Sequence, residues 1–374
     1  MKKVLSVILA LTIAFTIIFT ANVASAAPGK YMHISFDDVY ACLYDISVNQ
    51  YASVFENTFF AELRKLHGDY GAVFTLNCFN TSTKNSKYDI SNLPDRYSGE
   101  LAGCADWLRF AFHAESDTTA YGTTSFTNNI ATPAQSAASY KKFTSAILNA
   151  TGTADSVDTV VRLGFFTGTR ENVEALRECD YGITGLLTAD DTRLSYYFDN
   201  NLNNYILNNN DYYDGQLNLR LIRSQKRLEG VSNTSTALNT LSAYSGNMIE
   251  VFTHEQDYKG SVPNRLKEYI QWAKNQGYGF GFAMDIAGEL MKISYKAVSK
   301  NTETYSLKVN ASHVTVFAGV YNKEGALTRF TKVVPENNTA SVTLSSSADT
   351  NKVKFMLWST WVNMKPLSLS VSSE

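Results

Sequence analysis

The sequence predicts an α/β fold, a (β/α) barrel of about seven strand–helix units, followed by a small all-β sandwich. Three observations lead there. Apolar strand candidates alternate with segments of helical spacing from Lys30 to about Asp285. Acidic residues and histidines recur at the ends of the strand candidates. After Ser299 helical spacing disappears, and short alternating runs are separated by polar turns such as Glu336-Asn337-Asn338. Strand–helix alternation implies a parallel sheet, open or closed on itself, and the number of units favours closure. The expected organisation is residues 1–26 as signal peptide, 27–295 as the barrel and 300–374 as the sandwich.

The elements follow in order. Lys2 and Lys3 precede an apolar run from Val4 to about Phe19, and Ala24-Ser25-Ala26 is a small-residue cleavage pattern. The run could just span a bilayer, which takes roughly 20 apolar residues, but the small-residue site and short basic flank favour cleavage. A secreted or cell-surface protein is expected, with no membrane span after cleavage. Tyr31–Phe36 is a strand candidate ending in Asp37-Asp38. In the helix candidate from Phe55 to His67, Phe55, Phe59, Leu63 and Leu66 share one face. Ala72–Phe79 and Trp107–His113 are strands, and Ser136–Leu148 is a helix. Thr159–Phe166 is a strand, and Thr169–Arg177 a short helix with Glu171 in its first turn. Ile183–Thr188 leads into Ala189-Asp190-Asp191. Residues 192–213, rich in Asn, Asp and Tyr, read as a long loop. Leu217–Ile222 and Met248–Thr253 are strands, Pro263–Asn275 is a helix opening with proline, and Tyr278–Met284 is a last strand. In the tail, Tyr305–Val309, His313–Tyr321, Leu327–Val334, Thr339–Leu344 and Val353–Trp358 are short strands.

Composition excludes some partners. Lys and Arg number 33 against 35 Asp and Glu, so the basic footprint that phosphate backbones require is missing and no nucleic acid is expected. Cys42, Cys78, Cys104 and Cys179 are far apart and form no CxxC knuckle, so either buried thiols or one disulfide is expected. The chain is expected to act as a monomer.

Adjacent carboxylates at a strand end, Asp37 and Asp38, ionise together only with a cation nearby. A divalent metal answers this, one carboxylate binding it and the other serving as a base. A turn or helix cap is the plainer alternative. His113 and Asp117, four apart, would share a face if a helical turn followed the strand, and could then hold one ion. Glu115 is the alternative ligand if the turn is not helical. Arg162 ends a strand and could orient the base carboxylate, or serve as a rim salt bridge. His254 ends another, one of only five histidines in the chain, and suits general-acid chemistry. Together these parts describe metal-assisted hydrolysis, with Asp37 as base and His254 as proton donor.

The order Ser35-Phe36-Asp37-Asp38, His113-x-x-x-Asp117, Arg162-x-Gly164-Phe165 and Phe252-Thr253-His254 resembles the polysaccharide deacetylase family, carbohydrate esterase family four. The resemblance covers about Lys30 to Asp285. It implies a distorted (β/α)7-type barrel that removes N- or O-acetyl groups from a polysaccharide or oligosaccharide, with a divalent metal, zinc first, as cofactor. It implies Asp37 as catalytic base, Asp38 and His113 as metal ligands, and Arg162 as the base's partner. It further implies the Phe165 backbone N–H as oxyanion donor and His254 as acid. Asp190 would support Arg162 or His254. The chain also departs from the pattern. Asp117 stands where a second ligand histidine belongs, Gly164 replaces proline, Phe165 replaces tyrosine, and no tryptophan follows Asp190-Asp191. The run from Val353 to Leu367 resembles a small β module found at the C-termini of secreted bacterial proteins. Two other functions compete. A non-catalytic carbohydrate-binding or cell-surface protein on a decayed barrel would bind sugar without turnover. A glycoside hydrolase using two carboxylates would release reducing ends regardless of chelators.

Overall fold

The computed structural model describes residues 29–244, 246, 248–287, 289–299, 302–345, 350–359, 367 and 370–373. The expected signal peptide lies outside the described residues. Among them, the region up to Ile286 carries β1 (Tyr31–Val39), β2 (Phe74–Phe79), β3 (Leu108–Ala114), β4 (Val160–Val161), β5 (Gly185–Leu187), β6 (Asp211–Asp214), β7 (Leu219–Ile222), β8 (Lys226–Arg227), β9 (Met248–His254) and β10 (Gly279–Phe280).

β1 lies at the centre of the first sheet, paired in parallel with β2 and β9, while β10 joins its first residues and β3 and β8 lie further out. Met32, Ile34 and Phe36 are buried on one side and His33, Ser35 and Asp37 on the other. Both faces of a central parallel strand are covered, so polar side chains there must find partners inside. His33 Nε2 meets Thr75 Oγ1 at 3.0 Å, and Ser35 Oγ donates to Glu250 Oε1 at 2.7 Å.

The helices start and stop where capping chemistry dictates. Asn57 Oδ1 accepts from the N–H groups of Phe59 and Phe60 at the start of helix Thr58–Tyr70, and Gly71 ends it at φ 75°. Phe60, Leu63 and Leu66 are its buried stripe, each adding about 1.5–3 kcal/mol of apolar burial. Thr132 and Gln135 form a capping box ahead of helix Pro133–Thr151, which ends at Gly152 in the left-handed region. Thr169 caps helix Arg170–Arg177, and helix Val262–Asn275 buries Leu266, Tyr269, Ile270 and Ala273.

The strands do not close into the expected barrel. A second sheet runs β13 (Ala311–Ser312)–β6–β7–β5–β4, with β4, β5 and β7 parallel. It approaches the first sheet through a parallel bridge between Phe110 and Val157. On the far side β7 does not reach β8, because β6 occupies that edge of β7 as an antiparallel partner. Arg223 N–H turns to Asn210 O, whereas Gln225 N–H bonds Glu250 O in the other sheet. The segment 192–213 causes this: it is not a loop but carries helix Asn200–Asn209 and most of β6. Two strand candidates also shrink. Thr159–Phe166 keeps only β4 before a tight turn at Gly164–Phe166, and Tyr278–Met284 keeps only β10 before helix Ala283–Ile286.

The tail is antiparallel. β11 (Met291–Ser299), β12 (Thr302–Val309) and β16 (Thr339–Ser345) form one sheet. β14 (Thr315–Asn322), β15 (Leu327–Val333), β17 (Thr350–Trp358) and β18 (Val371–Ser373) form the other. Strict alternation in β16 buries Ala340, Val342 and Leu344. They join Tyr305 and Leu307 of β12, Val316 and Ala318 of β14, and Phe355 of β17 in one core. β13 binds the tail to β6 through Ala311 and Tyr213. All four cysteines are free, which settles the alternatives in favour of unpaired thiols.

Candidate active site

The end of β1 brings two consecutive carboxylates to one place. In a regular strand their side chains would point to opposite faces. Here the pairing with β2 slips between Phe36 and Val39, and Asp38 sits at φ 56°. The irregularity re-aims the second side chain, as strand bulges beside active sites do. Asp37 and Asp38 consequently line the same cleft of about 320 Å³, together with His113, Asp117, Arg162, Phe165 and His254.

Arg162 is fully buried just past β4 and holds the floor of the cleft. One terminal nitrogen donates to Asp37 Oδ1 at 2.7 Å and to Ser35 Oγ at 2.9 Å. The other donates to Glu250 Oε1 at 2.7 Å and to Ser224 Oγ at 2.9 Å. Burial works against its charge, but the Asp37 and Glu250 carboxylates outweigh that and raise the guanidinium above its ordinary pKa. Burial likewise opposes charge on Glu250, yet Arg162 and His33 bring its pKa down to about 2. Asn77 Nδ2 adds a second bond to Asp37 Oδ1, at 2.9 Å. Both bonds fall on Oδ1, which leaves Oδ2 for chemistry.

His113 ends β3. Its Nδ1 lies 2.5 Å from Arg162 O, and its Nε2 lies 3.2 Å from Asp38 Oδ1. A carbonyl only accepts, so Nδ1 carries the proton. In the neutral ring the Nε2 lone pair then faces a carboxylate oxygen. Asp38 Oδ2 accepts from Gln256 Nε2 at 2.9 Å. Burial raises the Asp38 pKa, but His113, His254 and Lys84 together take it below its ordinary value.

His254 ends β9, directly opposite Asp37 in the parallel ladder. Its Nδ1 is 2.6 Å from Glu229 Oε1. Burial disfavours the imidazolium, but the bond to Glu229 and the charges of Asp37 and Asp38 raise its pKa to about 9. The ring is therefore cationic at neutral pH. Arg227 Nε lies 3.6 Å from the same Glu229 oxygen.

Phe165 lines the cleft at φ 60°, followed by Phe166 at φ 58°. Its ring stacks on that of Phe126, centroids 5.6 Å apart. Two successive non-glycine residues in the left-handed region mark a locally strained turn.

Three expectations change. β3 continues through Ala114 and then bends without forming a helical turn, so residues four apart do not share a face. Asp117 instead accepts from Thr83 N–H at 2.7 Å and Thr83 Oγ1 at 2.6 Å. Glu115 turns away to Asn80 Nδ2 at 2.7 Å and lines a separate surface pocket. Asp190 accepts from Arg227 N–H at 3.2 Å, while Arg162 and His254 take Glu250 and Glu229 as partners. Neither glutamate was singled out from sequence. A lone Glu250 inside Met-Ile-Glu-Val-Phe was the available signal, since a charge in an apolar strand needs a buried partner.

No family model and no curated protein matches this chain. Among solved structures it is similar to one described as T48 deacetylase with substrate, at 12% identity and TM-score 0.38, covering 70% of this chain and 92% of that one. It is also similar to the catalytic domain of peptidoglycan N-acetylglucosamine deacetylase from Eubacterium rectale, at 15% identity and TM-score 0.33, covering 72% and 95%. A GH27 β-L-arabinopyranosidase from Geobacillus stearothermophilus overlaps at 11% identity and TM-score 0.34, over 86% and 95%. Overlaps at this level carry no statement about activity or substrate.

The donor set itself fits a cation. Asp38 Oδ1 and His113 Nε2 lie 3.2 Å apart, and a neutral ring with its proton on Nδ1 would offer a cation the Nε2 lone pair beside that carboxylate oxygen. Nitrogen and carboxylate donors suit zinc or a similar ion, and the backbone bond at His113 Nδ1 is the usual outer support of a ligating histidine. Asp117 lines the cleft without closing a trio with them. Among the described residues, one group of three places its ligand atoms within 4.8 Å of one another: Glu229, His254 and Asp257.

Proposed function

We propose that the chain is a secreted or cell-surface, metal-dependent hydrolase that removes N- or O-acetyl groups from a carbohydrate. One observation supports this above the rest. A carboxylate gripped by buried Arg162, a carboxylate–imidazole pair 3.2 Å apart and a cationic histidine line a single cleft. That combination supplies a base, a cation site and an acid around one space.

In this reading Asp38 and His113 hold a divalent ion, zinc first, with Asp117 at the cleft wall. When bound, the ion supplies Lewis acidity to the acyl carbonyl and its attacking water. Asp37 Oδ2 takes a proton from that water while Arg162 and Asn77 fix Oδ1. The Phe165 amide N–H is assigned to the tetrahedral oxyanion. His254 then gives its proton to the departing nitrogen or oxygen as the acyl bond breaks, and Glu229 keeps the imidazolium oriented.

Metal analysis joined to an acetate-release screen tests the proposal. Acetylated oligosaccharides should yield acetate, a chelator should stop the release, and added Zn²⁺ should restore it. Protein that binds no divalent ion and frees no acetate from N- or O-acetylated substrates would overturn the reading.

A further inference from the structure

The residues after His254 touch the candidate site at several points that the proposed chemistry does not use. Helix Ala41–Asn49 begins three residues after Asp38, and its own N-cap residue, Tyr40, makes no side-chain cap. Glu255 supplies the cap from across the sheet. Its Oε2 accepts from the N–H groups of Tyr40 and Ala41 at 2.9 and 2.8 Å, and its Oε1 from Cys42 N–H at 2.7 Å. A carboxylate on the first amides of a helix satisfies donors that otherwise lack partners and meets the positive end of the helix dipole. The neighbouring Gln256 reaches Asp38 itself, donating Nε2 to Oδ2 at 2.9 Å. Lys84 Nζ donates to Gln256 Oε1 at 3.0 Å, which fixes the amide so that its NH₂ end faces the carboxylate.

We propose that Glu255 and Gln256 are positioning residues: they clasp the backbone after Asp38 in its left-handed turn and turn its Oδ1 toward His113. The proposal rests on the reading of Asp38 and His113 as a cation site, but the clasp is a property of the chain alone. Asp38 lies at φ 56°, a conformation that a non-glycine residue keeps only when its surroundings enforce it. Three bonds to one carboxylate immediately after it provide that enforcement. Gln256 occupies one carboxylate oxygen and so leaves the other for the ion. Because His254, Glu255 and Gln256 are consecutive, one turn sets both the acid and the metal-binding carboxylate.

Two measurements on the full chain test this. Amide hydrogen exchange, followed without metal, should show residues 40–42 exchanging about tenfold or more faster in Glu255→Ala. Glu255→Gln, which keeps one acceptor oxygen, should fall between that variant and the wild type. Zn²⁺ calorimetry should show affinity lowered about 10- to 100-fold in Glu255→Ala and Gln256→Leu, the range for lost outer-shell support. Unchanged exchange at residues 40–42 in Glu255→Ala overturns the clasp. Unchanged Zn²⁺ affinity in both Glu255→Ala and Gln256→Leu overturns its positioning role. A wild type that takes up no Zn²⁺ overturns the cation site instead, and the exchange result then decides the clasp by itself.

Discussion

Single side chains divide the work of the cleft in ways that substitution can separate. On the proposed chemistry, Asp37→Asn should still bind a metal and lose at least about a hundredfold in kcat, the usual contribution of a general base. Asp38→Ala should lose the metal. Metal content and acetate release measured on both proteins check the pair. His254 gives a pH dependence. Its pKa is raised from the ordinary 6.5 to about 9, so its proton is present through neutral pH and lost as pH rises through about 9. The rate should fall on that alkaline limb, and Glu229→Gln should move the limb to lower pH. A limb that stays in place would assign it to another group. At this scale the sequence was informative about position but not about partners. Asp37, Asp38, His113, Arg162 and His254 stood out because reactive residue types recur at strand ends. Glu229 and Glu250 did not, because whom a buried charge pairs with depends on which strands are neighbours, and β9 lies beside β1 although more than 200 residues separate Ser35 from Glu250. Asp117 misled for a local reason: a spacing of four brings side chains together only on a helix, and the chain bends there instead.

Between elements, the Arg162 cluster ties β1, β4's end and β9 into one unit. Arg162→Met would leave Asp37 and Glu250 buried without their cation and should cost about 3–5 kcal/mol in urea unfolding. Adding Glu250→Leu should recover part of that loss, because one of the two orphaned charges is then gone. Additive losses would show that the two residues act independently. Helices Thr58–Tyr70, Pro133–Thr151, Arg170–Arg177 and Val262–Asn275 were legible to within a few residues because local spacing marks them, whereas Ala41–Asn49 and Thr234–Ser242 were not singled out. The segment 192–213 was not legible, because its polar helix and β6 are held by β7 and β13, partners that composition does not reveal. The short β4 and β10 were overextended for the opposite reason: apolar runs continue past them into tight turns.

Across the whole molecule, the seam between β7 and β8 distinguishes the fold from a closed barrel, and the tail is attached at that side through β6. Lys308 and Tyr205 strengthen the attachment, Lys308 Nζ donating to Asn209 Oδ1 and Tyr205 OH to Asn310 Oδ1 at 2.5 Å. Removing residues 291–374 would strip β13 from β6 and uncover buried Tyr213. The shortened chain should melt several degrees lower, about 2–4 °C for each kcal/mol lost. An unchanged Tm would make the tail independent of the body. Stability should also fall at both extremes of pH. Glu250, depressed from 4.5 to about 2, contributes fully above about 4.5 and loses its contribution as pH falls through about 2. His254, raised, contributes fully below about 6.5 and loses its contribution as pH rises through about 9.

The four unpaired sulfurs carry a further consequence. Cys42, Cys78 and Cys104 are enclosed in the interior, and burial raises the pKa of all three thiols, holding them in the protonated, unreactive form. No disulfide then fastens one part of the chain to another. Such a molecule keeps the same cohesion in oxidising and reducing surroundings, and dithiothreitol should leave its melting curve where it was.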